Sequence, residues 1–154
     1  MSVTAWRICK RKHAKTAFNG AGARKYGGRW NSPGVAVVYT AQNQALAALE
    51  MLVHLENTEL LASYVLIGVE IPESLIEQIE RRKLPRNWRS DPAPLALRDF
   101  GDEWAQTRAS VALRVPSTLV PSEDNLLLNP LHPDFKRVRI GSPASFRFDL
   151  RLAR

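Results

Sequence analysis

Twelve residues near the N-terminus, Gly20-Ala21-Gly22-Ala23-Arg24-Lys25-Tyr26-Gly27-Gly28-Arg29-Trp30-Asn31, constrain this chain more than any other stretch. Glycines let a backbone turn sharply and come close to a ligand, arginine forks onto phosphate, and aromatic rings stack on flat ones. Such a stretch reads as a loop suited to a nucleotide. It leads through the turn residues Asn31-Ser32-Pro33-Gly34 into Val35-Ala36-Val37-Val38-Tyr39-Thr40, a β-branched run fit for a central strand. The irregular segment from Lys10 through Gly34 is long for a connection without regular structure, and loops of that length are usually functional or disordered.

Around this loop the chain alternates strand and helix signals. Ala5–Cys9 reads as a short strand. A helix starts near Asn43 or Gln44 and carries Ala45, Leu46, Leu49, Leu52 and Val53 inward to about Asn57, a spacing near 3.6. Ser63–Ile71 reads as a strand ended by Pro72, and Glu73–Arg82 as a short helix. Pro85, Pro92 and Pro94 make Leu84–Asp99 a crossing loop, with Trp88 anchoring it to the core. Asp102–Leu113 is helical in composition, Val115–Pro121 is extended, and Leu126–Leu128 is an apolar strand. Asn129–Pro133 turns the chain into terminal strands at Val138–Gly141 and Ser145–Asp149, where Phe146, Phe148 and Leu150 alternate. Strands and helices interleave without regular βαβ spacing. That favours an α+β fold with a mixed, strongly bent sheet.

At 154 residues the chain fits a single domain, residues 1–154, with a sizeable core. No run approaches the roughly 20 apolar residues of a membrane span, and Met1–Arg7 lacks an apolar signal segment, so a cytoplasmic location is expected. The lone Cys9 excludes an internal disulfide and reads as a small buried hydrophobe. His13, His54 and His132 show no ligand spacing, so no metal is expected. No phosphate-loop motif is present.

The net charge of +7 asks for an anionic partner. No acidic residue precedes Glu50, while Arg7, Lys10, Arg11, Lys12, Lys15, Arg24, Lys25 and Arg29 all do. Lys136, Arg137, Arg139, Arg147, Arg151 and Arg154 form a second basic group. Positive potential from both ends could converge on one cleft, or serve only as a solvated surface. A basic nucleic-acid-binding module without catalysis is the alternative that this charge, with Tyr26 and Trp30 among it, keeps open.

Four residues stand out for chemistry, and each has an ordinary alternative. Arg29, after Gly28, is either a pyrophosphate clamp or a brace that pairs the loop with a carbonyl or carboxylate. Glu50 lies in Ala45-Leu46-Ala47-Ala48-Leu49-Glu50-Met51-Leu52-Val53, either on a solvent-facing stripe with Leu46 and His54 or held in a pocket at some desolvation cost. Tyr39 closes its strand, where a side chain can project at the sheet edge, though alone it reads as half-buried core. Ser117, in Val115-Pro116-Ser117-Thr118, lacks a nucleophile elbow and is either a donor to phosphate or hydroxyl or a plain sheet serine. Trp30 reads as core before it reads as a stacking platform.

Taken in order, these pieces resemble the RES-domain family, named for an arginine, a glutamate and a serine. Gly27-Gly28-Arg29-Trp30-Asn31 matches the arginine motif, Val38-Tyr39-Thr40-Ala41 the tyrosine, Ala45–Glu50 the glutamate helix and Val115-Pro116-Ser117 the serine. Phe18–Ala23, Gly101-Asp102-Glu103-Trp104, and Asn125 with Asn129-Pro130-Leu131-His132 are supporting marks. The resemblance runs over roughly residues 5 to 150. It implies the toxin of a RES–Xre toxin–antitoxin pair with an ADP-ribosyltransferase-like fold, a split, bent mixed sheet with flanking helices. It implies NAD as substrate, consumed without a metal, with Glu50, Arg29 and Tyr39 catalytic. Arg29 would hold the phosphates with Gly28 and Trp30 in the binding loop, Tyr39 would stack on nicotinamide, and Ser117 would fix the phosphate or ribose side. Glu50 would bind the nicotinamide ribose. The acceptor stays open among water, phosphate and a target protein. The implied partner is an Xre-type antitoxin, with DNA reached through that complex.

Overall fold

The computed structural model describes residues 1–153; Arg154, counted in the C-terminal basic group, lies outside the described residues. Eleven elements follow one another: β1 (Ser2–Lys10), α1 (Ala21–Tyr26), β2 (Val38–Ala41), α2 (Gln44–Leu52), β3 (Tyr64–Pro72), β4 (Ile76–Gln78), α3 (Leu95–Gln106), β5 (Ala112–Pro116), β6 (Asp124–Leu128), β7 (Arg139–Ile140) and β8 (Ala144–Phe146). The strands form one curled mixed sheet in the order β4-β5-β6-β2-β1-β3-β7, with β8 also on β3. Only β4 and β5 run parallel.

The sheet is nearly divided. β1 and β3 share nine register positions, whereas β1 and β2 share a single one, Trp6 with Ala41. Beyond it the strands part, and Arg7 Nη1 reaches across to donate to the Tyr39 carbonyl at 3.0 Å. The fold is therefore the α+β, split and bent sheet with flanking helices that the family resemblance implies.

Alternation along the strands sorts their side chains onto two faces. One face carries a continuous core in which Ala5, Cys9, Val38, Val65, Ile67, Val69, Leu126 and Leu128 pack with Phe18. On the other face the apolar cover is broken in two. α3 puts Leu97, Trp104 and Ala105 over Leu113, Val115 and Leu127. α2 puts Leu46 and Ala47 over Ile8, Ala41 and Tyr64, with Phe148 closing the cluster. The polar residues that matter lie along the seam between these clusters.

Several elements differ from what the sequence suggests. The segment after β1 is not irregular throughout: Arg11–Thr16 forms a 3-10 turn and Ala21–Tyr26 a short helix. β2 begins only at Val38, and α2 stops at Leu52 rather than Asn57, with a separate 3-10 turn at Asn57–Leu61. Glu73–Arg82 is not a helix. Its apolar spacing suits one, but Ile76–Gln78 finds the open edge of β5 and Ile79 N–H continues the pairing to the Arg114 carbonyl. α3 starts at Leu95, inside the stretch read as a crossing loop, because Pro94 flanks the first turn without entering it. It ends at Gln106 with Thr107 as its cap, and Arg108 turns left-handed at φ 53°, so the chain leads through Ser110 and Val111 into β5. The strand over Val115–Pro121 ends at Pro116. The terminal aromatics do not continue as a strand: β8 stops at Phe146, Phe148 is buried, and Leu150 is exposed in a final 3-10 turn.

The two basic groups both border β3, and Arg11 Nη2 donates to Ser145 Oγ near the start of that strand. Lys10, Arg11 and Lys12 line a surface cavity at the start of β3, and Arg137 and Arg139 another at its end, beside Glu70 and Pro72. The two groups thus do not converge on one cleft, and neither cavity includes Arg29 or Glu50. Among the described residues no helix is long and apolar enough to cross a membrane.

Candidate active site

Arg29 stands at the tip of a tight turn. Gly28 and Asn31 exchange backbone hydrogen bonds at 2.9 and 3.4 Å, leaving Arg29 and Trp30 between them. The Asn31 side chain, fully buried, fixes this turn from inside. Its Nδ2 donates to the carbonyls of Ala23 at 2.8 Å and Val35 at 3.0 Å, and its Oδ1 accepts the Tyr39 hydroxyl at 2.6 Å. The same hydroxyl accepts the Trp30 N–H at 3.1 Å. Gly28 is glycine for this reason: a Cβ there would stand 2.6 Å from the Tyr39 hydroxyl oxygen and 2.9 Å from Asn31 Oδ1. The close approach that this glycine permits is to the protein's own tyrosine.

From outside, α3 grips the same turn with residues spaced i, i+3 and i+4 on one helical face. Arg98 Nε donates to the Gly28 carbonyl at 3.2 Å, and Asp102 Oδ1 accepts the Ser32 N–H at 2.8 Å. Between them Gly101 meets the backbone of Trp30 so closely that a Cβ would lie 1.6 Å from its carbonyl oxygen. Trp30 is only 2% exposed and packs beneath α3. Its ring has no face for a ligand, so the cofactor-stacking role is corrected to a core role.

The Arg29 guanidinium extends to the segment Pro85–Asp91, where Nη1 donates to the carbonyls of Ser90 at 2.8 Å and Trp88 at 3.3 Å. Arg29 thus touches two carbonyls of this segment, and among the described residues no ion pair includes it. Trp88 is half-buried in the α3 cluster and anchors this segment as its sequence suggests.

Glu50 is not on a solvated stripe. It is half-buried, and its Oε1 accepts the Ser117 hydroxyl at 2.7 Å and Asn125 Nδ2 at 3.0 Å. Oε2 has no hydrogen-bond partner among the described residues. Ser117 is fully buried where β5 gives way to a turn, and its Oγ also accepts the N–H groups of Leu119 and Val120 at 3.1 and 3.2 Å. Asn125 sits opposite Ala41 in the β2–β6 register, two positions from the Tyr39–Leu127 pair. Tyr39 and Asn125 therefore share one sheet face, the face interrupted by the seam. Asn125 Oδ1 is buried without a partner.

Burial pushes the Tyr39 hydroxyl well above the ordinary tyrosine range, with the Trp30 N–H opposing it and the Asp102 charge adding to it. The group stays protonated and acts as a donor to Asn31. Its ring is only half-buried.

The structure thus brings Glu50 and Ser117 into direct contact and ties Tyr39 to the Arg29 turn. It also gives a place to residues marked only through the family resemblance, Asn31 and Asn125 as hydrogen-bonding hubs and Gly101 and Asp102 in the outer grip, and adds Arg98 to that grip and Arg7 at the strand divergence, which no motif marks. Arg7 Nε is buried and unpartnered. Asn129, by contrast, is a brace, joining the Ala105 carbonyl to the Leu131 N–H. His132 caps its own turn by accepting the Asp134 N–H.

Comparison with known proteins shows the fold and the family. A chain of the M. tuberculosis MbcT-MbcA toxin-antitoxin complex superposes with a TM-score of 0.77 at 16% identity, over 96% of this chain and 85% of that one, which shows the shared fold. A curated protein of Yersinia enterocolitica named Toxin Res is 45% identical over 96% of this chain and 97% of its own length. The Prs ADP-ribosylating toxin of Sphingobium sp. is 39% identical over 100% of this chain and 99% of its own length. With the RES domain model matching residues 4–150, the seam bearing Arg29, Tyr39, Glu50 and Ser117 lies within a chain that belongs to the RES-domain toxin family.

Proposed function

We propose that this chain is an NAD-consuming toxin that cleaves the bond between nicotinamide and ribose at the seam. The observation that carries the reading is the division of labour at Glu50. One carboxylate oxygen is fixed by Ser117 and Asn125, and the other is without a partner among the described residues. Asn125 Oδ1 is a further unpartnered acceptor on the amide that holds Glu50. The unpartnered carboxylate oxygen, held on this fixed frame, suits a ribose hydroxyl.

The chemistry asks little beyond orientation and charge. As the C1′–N bond breaks, its electron pair goes to the pyridinium nitrogen and nicotinamide leaves neutral. Positive charge develops on ribose C1′ and its ring oxygen, and the Glu50 carboxylate stabilises it. At about 4 Å and an effective dielectric near 20 such an attraction is about 4 kcal/mol, or about a thousandfold in rate. The cation is then captured by water, by phosphate or by a nucleophilic side chain of a target protein. Tyr39 offers its half-buried ring to the nicotinamide, while Arg29 and the turn at Gly28 hold the diphosphate. The Sphingobium relative's name, an ADP-ribosylating toxin, supports the same substrate.

The partner in this reading is an antitoxin of the Xre type that covers the seam, with DNA reached only through that complex. Support comes from the toxin–antitoxin complex of the structural neighbour.

The test is NAD concentration in cells after brief induction of the wild-type chain and of Glu50→Gln. Glutamine keeps an acceptor for Ser117 and Asn125 and removes only the charge, so the variant should fold. NAD should fall with wild type alone. Unchanged NAD with soluble wild-type protein would count against turnover of free NAD.

A further inference from the structure

We propose that Arg89 is a second guanidinium of the diphosphate subsite, set against Arg29 across the segment Pro85–Asp91. The inference rests on the function proposed above and adds a residue that no motif of the sequence marks.

The carbonyls on either side of Arg89, those of Trp88 and Ser90, both accept Arg29 Nη1. The Arg89 side chain itself spans to the turn after β5, where Nε and Nη2 both donate to the Thr118 carbonyl at 3.1 and 2.9 Å. Thr118 follows Ser117, whose hydroxyl lies 2.7 Å from Glu50. One short segment, anchored by Trp88, therefore stands between the two halves of the site with a guanidinium attached to each side.

No carboxylate among the described residues neutralises the charge of either arginine, a condition they share with Arg86 and other arginines but not with four that pair with carboxylates. Arg81 pairs with Asp124, Arg82 with Glu80, Arg139 with Glu70 and Arg151 with Asp149. Among the described residues no ion pair includes Arg29 or Arg89. Both spend some of their donors on neutral carbonyls, and both keep nitrogens without a hydrogen-bond partner among those residues. A phosphate oxygen brings a full negative charge to the guanidinium where a carbonyl brings only a dipole, so it adds to or displaces these carbonyl contacts. Two planar forks, one on each side of the segment, match a ligand with two linked phosphates better than one with a single anion.

Calorimetric titration of ADP-ribose and of nicotinamide riboside, which lacks the diphosphate, into wild type, Arg89→Ala and Arg86→Ala tests this. Arg86 lies on the same segment, is exposed as Arg89 is, and has the same charge, but it makes no hydrogen bond to the turn after β5 among the described residues. Arg89→Ala should weaken ADP-ribose by about tenfold or more, the loss of a charge-assisted contact, and leave nicotinamide riboside unchanged. Arg86→Ala should change either ligand by less than about twofold, because a charge that is not fixed beside the site acts only through screened solvent. Equal ADP-ribose affinity in Arg89→Ala and wild type, or equal losses in both arginine variants, would overturn the assignment. A parallel loss of nicotinamide riboside would also overturn it, showing that the segment merely supports the fold. Failure of wild type to bind ADP-ribose would overturn the proposed function itself and this inference with it.

Discussion

The turn that carries Arg29 and the carboxylate of Glu50 serve one seam on one sheet, yet they are held by different kinds of bond. The turn is gripped through its backbone: Gly28 and Asn31 bond to each other, Arg98 takes the Gly28 carbonyl, Asp102 takes the Ser32 N–H, and Gly101 lies against Trp30. The carboxylate is gripped through side chains alone, Ser117 and Asn125. A side chain presented by a backbone-held turn can be exchanged without moving its support. A carboxylate held by side chains depends on each of them. The first half of the site is thus a platform and the second a hydrogen-bonded cluster.

Breaking the platform should have the largest effect on stability. Gly101→Ala puts a methyl 1.6 Å from the Trp30 carbonyl oxygen, and the obstacle is backbone, which cannot swing aside. Either α3 lifts from the sheet or the turn does, at about 3 kcal/mol or more. Urea unfolding should show it as a lower midpoint at unchanged slope. A near-normal midpoint would mean that the turn and α3 are not in close contact.

Removing the tip residue should sharpen the contrast, because Arg29 is carried by the platform and is no part of it. Arg29→Ala gives up two bonds to carbonyls of a surface segment and leaves the Gly28–Asn31 pair intact. Binding of NAD should weaken by about 2 kcal/mol for the lost phosphate contact, with a much smaller change in the unfolding midpoint. Equal losses in binding and stability would make Arg29 a structural brace and dissolve the distinction.

The two halves also differed in how far the sequence revealed them. Glycine, arginine and turn residues cluster locally around Arg29, so the loop and its cationic tip were readable, as was the strand after it. Its grip was not, because Arg98, Gly101 and Asp102 act from some 70 positions away and a helical face is ambiguous until its partner is known. Glu50 showed only as a charge in an apolar run, and helical spacing alone could not separate solvent from pocket. What decides it is β6 pairing with β2, which brings Asn125 level with Ala41, a long-range register that local pattern does not encode. Ile76–Gln78 failed for a related reason: its helical periodicity lost to a free strand edge supplied by β5. Trp30 fell to the core because a large apolar ring beside α3 gains more from burial than from exposure.

Tyr39 joins the halves, and the smallest expected effect tests whether its hydroxyl belongs to the platform. Burial, first among the causes, raises its pKa above that of a tyrosine in the unfolded chain, which is near 10. A raised pKa means that the folded state keeps the proton while the unfolded state releases it. The stabilisation is complete below about pH 10 and is lost as pH rises toward the folded value. Tyr39→Phe removes this dependence together with the bonds to Asn31 and Trp30, so at pH 8 the variant should be less stable by about 1 kcal/mol. Between pH 10 and 11 wild type should lose stability faster, and the gap should narrow. Tyr64, also raised by burial, is present in both proteins and cancels from the difference. A gap that stays constant with pH would mean that the hydroxyl ionises in the fold as it does in the open chain, and so is not enclosed between Asn31 and Trp30. A narrowing gap would make Tyr39 a residue whose oxygen belongs to the arginine platform while its ring remains free to face the seam.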